Sequence, residues 1–215
     1  MCISVKIETD TRVFHPLPRD LAELSIRGDN NTNHQKERRV EDVMSALRQT
    51  FLEELAGTYD AEKQLLKALP KMAQAARHED LRRAFEEHLE QTEVQVERLE
   101  QVFEVLGEEP ESKGCKTMDA IIREGEEIIK RHQGDGALIC AAQKAEHYEI
   151  ASYGSLQFWA RLLGEEDAAD LLEETLDEER DTDDRLMEMA EDVVNIGENQ
   201  EEGEAEPSKE SGRSD

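Results

Sequence analysis

Residues 145–154 read AEHYEIASYG and lie in the middle of a long helical pattern that covers about residues 135–163. With 100° between successive residues of a helix, Glu149 projects near the centre of the apolar stripe of this pattern, and Glu146 lies at the edge of that stripe. His147 points to the opposite side. A carboxylate costs several kcal/mol to bury unless it is protonated, paired or bound to a cation. The stretch therefore predicts a helix that carries a polar site into an apolar core.

Three further long stretches and one shorter stretch repeat apolar residues at helical spacing, and no stretch of useful length alternates as a strand does. They cover about residues 41–77, 79–106, 166–195 and, for the shorter one, 117–132. Gly107 and Gly164 follow two of the long patterns and suit left-handed helix caps, and Asp135 suits an N-cap. Two long helices, a connection with its own short helix and two more long helices predict an all-α, ferritin-like four-helix bundle with a short crossover helix.

The two ends of the chain lack this pattern. Residues 1–40 combine prolines, scattered charges and a GDNNTN run without a sustained period. Residues 196–215 contain almost nothing apolar and cannot offset the entropy lost on ordering. We therefore expect a bundle at residues 41–195 between a mostly disordered N-terminal extension and a disordered acidic tail.

Charge and composition exclude several classes of protein. The chain has 53 acidic and 26 basic residues and a net charge of -27, which repels a phosphate backbone and argues against a nucleic-acid partner. No apolar run has the length of a membrane span or a signal peptide, and cysteines without disulfide or metal-site spacing favour a reducing cytoplasm. Because the acidic excess is spread over every helix, we expect compactness and activity to depend on salt, as in a salt-rich cytoplasm.

Acidic residues also lie in the apolar stripes of two other helices. Glu62 lies near the centre of the first stripe, and Glu179 lies near the centre of the fourth with Glu178 on its flank. Three of the four long helices thus aim a carboxylate inward near mid-length, where crowded carboxylates repel unless a cation is present. Helical bundles resolve this conflict with one Glu from each of two helices and Glu-x-x-His from the other two, holding iron or manganese.

Four blocks of the sequence resemble the YciE/YciF family of ferritin-like stress proteins. They are AEKQLLKALPKMA at 61–73, HLEQT at 88–92, AEHYEIASYG at 145–154 and TLDEERDTD at 175–183. The resemblance covers about residues 45–195, and EHYE is also similar to the paired glutamates on the third helix of rubrerythrins. The resemblance to the YciE/YciF family implies a homodimeric ferritin-like bundle that acts as a ferroxidase in stress responses. Each bundle would hold two ions of iron or manganese.

The sequence departs from the rubrerythrin ligand pattern at two histidine positions. On the second helix the register gives Thr92 and Gln95 in place of Glu-x-x-His, and on the fourth helix Thr182 stands where a histidine would follow Glu179. Glu93 and His88 are the nearby substitutes from the second helix, although Glu93 projects about 90° off the stripe. The departures imply an all-carboxylate or vestigial site.

The candidate metal ligands are the glutamates at the centres and flanks of the stripes. They are Glu62, Glu93, Glu146, Glu149, Glu178 and Glu179. Each glutamate has an alternative environment. For Glu62 and Glu149 it is a buried hydrogen-bond network. For Glu146, Glu178 and Glu179 it is a partly solvated helix edge, and for Glu93 it is the surface. Three tyrosines are candidates for hydrogen bonds to ligating carboxylates, namely Tyr59, Tyr148 and Tyr153.

Two functions stay open at this point. In the first, the bundle holds two metal ions and oxidises Fe(II) with dioxygen or peroxide, as a ferroxidase. In the second, it is a metal-poor structural or protective dimer without catalysis, and its buried carboxylates are paired or protonated. The missing histidines favour the second function, and the three inward carboxylates favour the first.

Overall fold

The computed structural model of the chain describes the backbone of residues 30–203 and, within that range, the side chains of residues 34–191. This part of the chain forms five helices and no strand, which confirms the prediction of an all-α protein. The helices are α1 (Asn30–Ala75), α2 (Glu79–Leu106), α3 (Lys116–Lys130), α4 (Asp135–Leu163) and α5 (Glu166–Gly203). The other residues of the predicted extension and tail, 1–29 and 204–215, lie outside the described residues.

The chain divides into two compact units, Met1–Val43 and Met44–Asp215. The described part of the first unit is the beginning of α1. The second unit contains the rest of α1, the other four helices and every candidate site residue. Within it, α4 packs along α5, α2 packs on α5 and α3 packs on α4. In the described region no helix is both long enough and apolar enough to cross a membrane.

Two apolar clusters form the core of the second unit. One contains Phe51 and Leu55 of α1 together with Phe103, Leu156 and Leu172 from three other helices. The second is built mainly from the later part of α1, the beginning of α2, the helix α3 and the beginning of α4. Each long helix contributes to both clusters, and between the two contributions it presents buried polar residues. A polar layer therefore crosses the core between two apolar layers.

The helix ends follow the predicted glycine caps but not the predicted N-cap. Gly107 and Gly164 have φ values of 72° and 79°, the left-handed conformation that ends a helix at low cost when the residue is glycine. Asp135, in contrast, is the first residue of α4, and Gly134 holds the N-cap position. The Asp135 carboxylate accepts hydrogen bonds from the backbone N–H groups of Arg77 (3.0 Å) and His78 (2.7 Å). Asp135 therefore ties the loop between α1 and α2 to α4.

Candidate metal centre

The polar layer contains a cluster of five ionisable side chains from four helices, which we call the carboxylate cluster. Its members are Glu62 of α1, His88 of α2, Glu146 and Glu149 of α4 and Glu179 of α5. The exposed fraction of these residues is 0% for Glu62 and Glu179, 1% for Glu149, 2% for Glu146 and 6% for His88. One ligand atom each from His88, Glu146, Glu149 and Glu179 lies within 4.8 Å of the others. Residues that are distant in sequence thus meet at one buried point.

Helical spacing places these groups on the buried faces of their helices. Glu146 and Glu149 are three residues apart and share one face of α4. On α2, His88, Thr92 and Gln95 follow one another at i, i+4 and i+7, and all three are buried. The Thr92 hydroxyl donates to the carbonyl oxygen of His88 at 2.8 Å, so it is occupied by its own helix. Of these three residues, His88 is the one whose ring nitrogen lies with the carboxylate oxygens of the cluster.

Seven ligand atoms in the cluster lack a hydrogen-bond partner among the described residues. They are Glu62 Oε2, His88 Nε2, Glu146 Oε2, both carboxylate oxygens of Glu149 and both of Glu179. His88 Nε2 lies 3.3 Å from Glu146 Oε1, a distance that permits an ion pair but without the alignment of a hydrogen bond. An unpaired buried polar atom costs about 1–3 kcal/mol, so these atoms need compensation, either by protons shared between carboxyl groups or by a cation. Five oxygen- and nitrogen-bearing side chains fit a divalent metal ion such as iron or manganese.

The pKa values of the glutamates show how strongly the cluster resists negative charge. Burial, followed by the charges of Glu62, Glu179 and Glu146, raises the pKa of Glu149 well above its ordinary value. Burial and the charges of Glu146 and Glu62 do the same for the pKa of Glu179. Burial raises the pKa of Glu62 to about 7 against the opposing effects of Tyr153 and His88. Without a cation, these groups hold protons at a pH where exposed glutamates are ionised.

The His88 ring is oriented by a residue one turn further along α2. Its Nδ1 atom lies 3.4 Å from Gln91 Oε1, and an Nδ1–H group donating to that oxygen leaves Nε2 directed towards Glu146. Burial lowers the pKa of His88, but the charges of Glu146 and Glu62 outweigh burial, so the pKa is raised overall. A metal ion would take the place of the proton on Nε2 and relieve the same negative charge.

Of the three candidate tyrosines, Tyr153 contacts the carboxylate cluster. Its hydroxyl donates to Glu62 Oε1 at 2.6 Å, and the side chain is fully buried. Tyr59 instead donates to Glu100 at 2.6 Å, and the Tyr148 hydroxyl lies 3.1 Å from Cys115 Sγ. Tyr153 therefore fixes one oxygen of Glu62 and leaves the second oxygen free for a ligand.

Two of the six glutamates proposed from sequence lie outside the cluster. Glu93 is exposed on α2. Glu178 is held by Arg98, whose guanidinium donates to its two carboxylate oxygens at 2.8 and 2.9 Å, and by the side-chain amide of Gln95 at 3.1 Å. The other four, Glu62, Glu146, Glu149 and Glu179, converge. His88 completes the set; sequence reasoning named it as a substitute, and its i, i+4 spacing to Thr92 on a buried face was the signal that could have selected it.

Comparison with known proteins assigns this chain to a family. A family profile described as Domain of unknown function (DUF892) matches residues 46–198. Protein YciF of Escherichia coli K12 is 46% identical over 157 residues, which span 71% of this chain and 95% of that protein. The crystal structure of the E. coli stress protein YciF matches with a TM-score of 0.68 at 45% identity, covering 69% of this chain and 97% of that chain. YcfI of Rhodopseudomonas palustris, assigned a provisional structural role, matches with a TM-score of 0.62 at 39% identity, covering 65% and 92% of the two chains.

Proposed function

The chain belongs to the DUF892 family, and we propose that it is a ferritin-like metal protein whose carboxylate cluster binds two divalent ions, iron or manganese. We further propose that it is a ferroxidase, which oxidises Fe(II) with dioxygen or peroxide. The observation that supports this function is the set of seven unpaired ligand atoms on five buried side chains from four helices. The order of two long helices, a short helix packed on α4 and two long helices agrees with a bundle of this type.

Charge balance favours two ions over one. When Glu62, Glu146, Glu149 and Glu179 are ionised and His88 is neutral, the cluster carries four negative charges. One divalent ion would leave two of them uncompensated in a buried site, and two divalent ions neutralise all four. The donor set contains carboxylate oxygens and one imidazole nitrogen and no thiolate, which suits iron or manganese better than a soft ion.

The protein groups around the cluster have separate tasks in this function. The four glutamates and His88 hold the ions, which when bound supply the redox chemistry of Fe(II) oxidation. Tyr153 orients Glu62, and Gln91 orients His88. Arg98 pairs with both carboxylate oxygens of Glu178, so its positive charge offsets that of a fifth carboxylate beside the cluster. The apolar clusters cover the site on two sides.

A structural or protective role without metal is the second candidate, and one observation favours it. Glu62 and Glu149 lie close enough to share a proton, and their raised pKa values allow the neutral form at neutral pH. A neutral, hydrogen-bonded pair of carboxyl groups can remain in a core without a cation. In this case the protein would keep its fold with the cluster protonated.

Metal binding decides between the two functions. Protein purified without chelator should contain, or take up from Fe(II) or Mn(II) solutions, about two ions per chain. Glu149→Gln should bind less than the unmodified protein because it removes a carboxylate with two unpaired oxygens. Glu93→Gln is the matched control, since it makes the same change at an exposed residue. If the unmodified protein binds less than one ion per chain after loading, the ferroxidase proposal is wrong.

A further inference from the structure

A pocket of about 380 Å³ lies between α2 and α5 and leads to the carboxylate cluster. His88 and Glu146, which each carry an unpaired ligand atom, line this pocket. Gln91 and Thr182 also line it, and their side chains are joined at 3.4 Å. A pocket with both polar and apolar lining residues thus connects one face of the second unit with two groups that are otherwise nearly inaccessible to solvent.

The outer part of this pocket carries charged residues. Glu87 and Glu90 line it from α2, and both are exposed. Arg185 lines it from α5 and forms an ion pair with Glu87 at 2.6 Å, in which the side chains are 47% and 49% exposed. Among the described residues that line the pocket, Arg185 is the only arginine or lysine. The outer part therefore combines two groups that attract cations with one group that repels them.

A second pocket, of about 30 Å³, reaches Glu146 from the side formed by α1, α3 and α4, but its chemistry is different. Apart from Lys71 and Glu126, which pair with each other at 2.7 Å, and Glu146 itself, its lining is apolar. Removing the water ligands of a divalent cation costs free energy unless other polar ligands replace them, and an apolar passage offers none. The pocket between α2 and α5 also has apolar lining residues, but between its outer part and Glu146 it offers the side-chain oxygen atoms of Glu87, Glu90, Gln91 and Thr182.

We propose that the pocket between α2 and α5 is the entrance through which divalent cations reach His88 and Glu146, and that Arg185, paired with Glu87, limits their passage. This inference rests on the metal-binding function proposed above. An exposed ion pair contributes only about 0–1 kcal/mol, so Arg185 can be displaced without disturbing the fold. An arriving cation can then take the place of Arg185 beside Glu87 and continue to Glu146.

Rates of metal uptake and release test this role separately from ligation. Co²⁺ serves as the probe, with uptake followed by its visible absorption after rapid mixing and release followed after addition of a chelator. Arg185→Gln should raise both rates by about threefold, the effect of one screened unit charge on a divalent ion nearby. The equilibrium affinity should change by less than this, because Arg185 does not contact the carboxylate cluster. Glu90→Lys should slow uptake by about tenfold, since it replaces an attractive charge with a repulsive one.

Arg180→Gln is the matched control for Arg185→Gln. Arg180 is also on α5 and also pairs with an acidic residue, Asp177 at 2.9 Å, but it does not line the pocket. It therefore makes the same change in net charge without opening the entrance. If the unmodified protein takes up Co²⁺ and neither Arg185→Gln nor Glu90→Lys changes the rate, the proposed entrance is wrong. The same holds if Arg180→Gln changes the rate as much as Arg185→Gln does. In both cases the metal-binding function stands. If the unmodified protein takes up no Co²⁺, the metal-binding function and the entrance are both wrong.

Discussion

Replacing Glu62 with glutamine should remove a large pH dependence from the stability of the metal-free protein. Burial raises the pKa of Glu62 from 4.5 to about 7 in the folded protein. The folded state therefore binds this proton more tightly than the unfolded state does. The resulting stabilisation is fully present below pH 4.5 and is lost as the pH rises through about 7. Since one pKa unit corresponds to about 1.4 kcal/mol, the loss by pH 8 is about 3 kcal/mol.

The measurement is urea denaturation of chelator-treated protein at pH 5 and pH 8, at one fixed salt concentration. Glutamine is neutral at both values of pH and can still accept the hydrogen bond from Tyr153. Glu62→Gln should therefore lie within about 1 kcal/mol of the unmodified protein at pH 5 and exceed its free energy of unfolding by about 3 kcal/mol at pH 8. Glu93→Gln, at an exposed position, should leave the pH dependence unchanged. Equal pH dependence in Glu62→Gln and the unmodified protein would falsify the reasoning.

Two further substitutions test the groups that surround the cluster. Tyr153→Phe removes the 2.6 Å hydrogen bond to Glu62 Oε1 and should lower the free energy of unfolding by about 1–3 kcal/mol, measured by denaturation of the metal-free protein; an unchanged value would contradict the contact. Arg98→Met leaves the partly buried Glu178 without its guanidinium partner and should cost about 2–4 kcal/mol. A double-mutant cycle with Glu178→Gln should recover a coupling energy above about 1 kcal/mol, and additivity of the two substitutions would show that the pair contributes little.

The helices could be predicted from the sequence because apolar periodicity reports which residues pack. The boundaries of α2 and α4 agree with the pattern, and the glycines that end both helices were predicted from their cap preference. At their outer ends, α1 and α5 extend beyond the pattern at residues 41–195. Residues 30–40 and 196–203 are helical although they carry no apolar stripe. Periodicity detects the buried face of a helix and gives no signal for turns that extend beyond the core.

The candidate site was predictable where a glutamate lies at the centre of a stripe. Glu62, Glu149 and Glu179 were expected to point inward, and all three are buried. Whether a glutamate on the flank of a stripe joins the cluster depends on the side chains of the neighbouring helix. The projection of a single helix does not contain this information. Glu178 is held by Arg98 of α2, whereas Glu146, also on a flank, faces His88 of the same helix. The α2 side chain that meets each flanking glutamate decides between these two outcomes.

The pH dependence of the protein as purified separates the two candidate functions by its sign. Burial and mutual repulsion raise the pKa values of Glu62, Glu149 and Glu179, so a metal-free cluster holds protons at a pH where the unfolded chain has lost them. Stability of a metal-poor protein therefore falls as the pH rises and these protons are lost. Metal binding reverses the sign, because the ions favour the ionised carboxylates and the neutral imidazole, and protons compete with them. A purified protein that becomes more stable from pH 5 to pH 8, and loses this behaviour after chelation, carries cations in the carboxylate cluster.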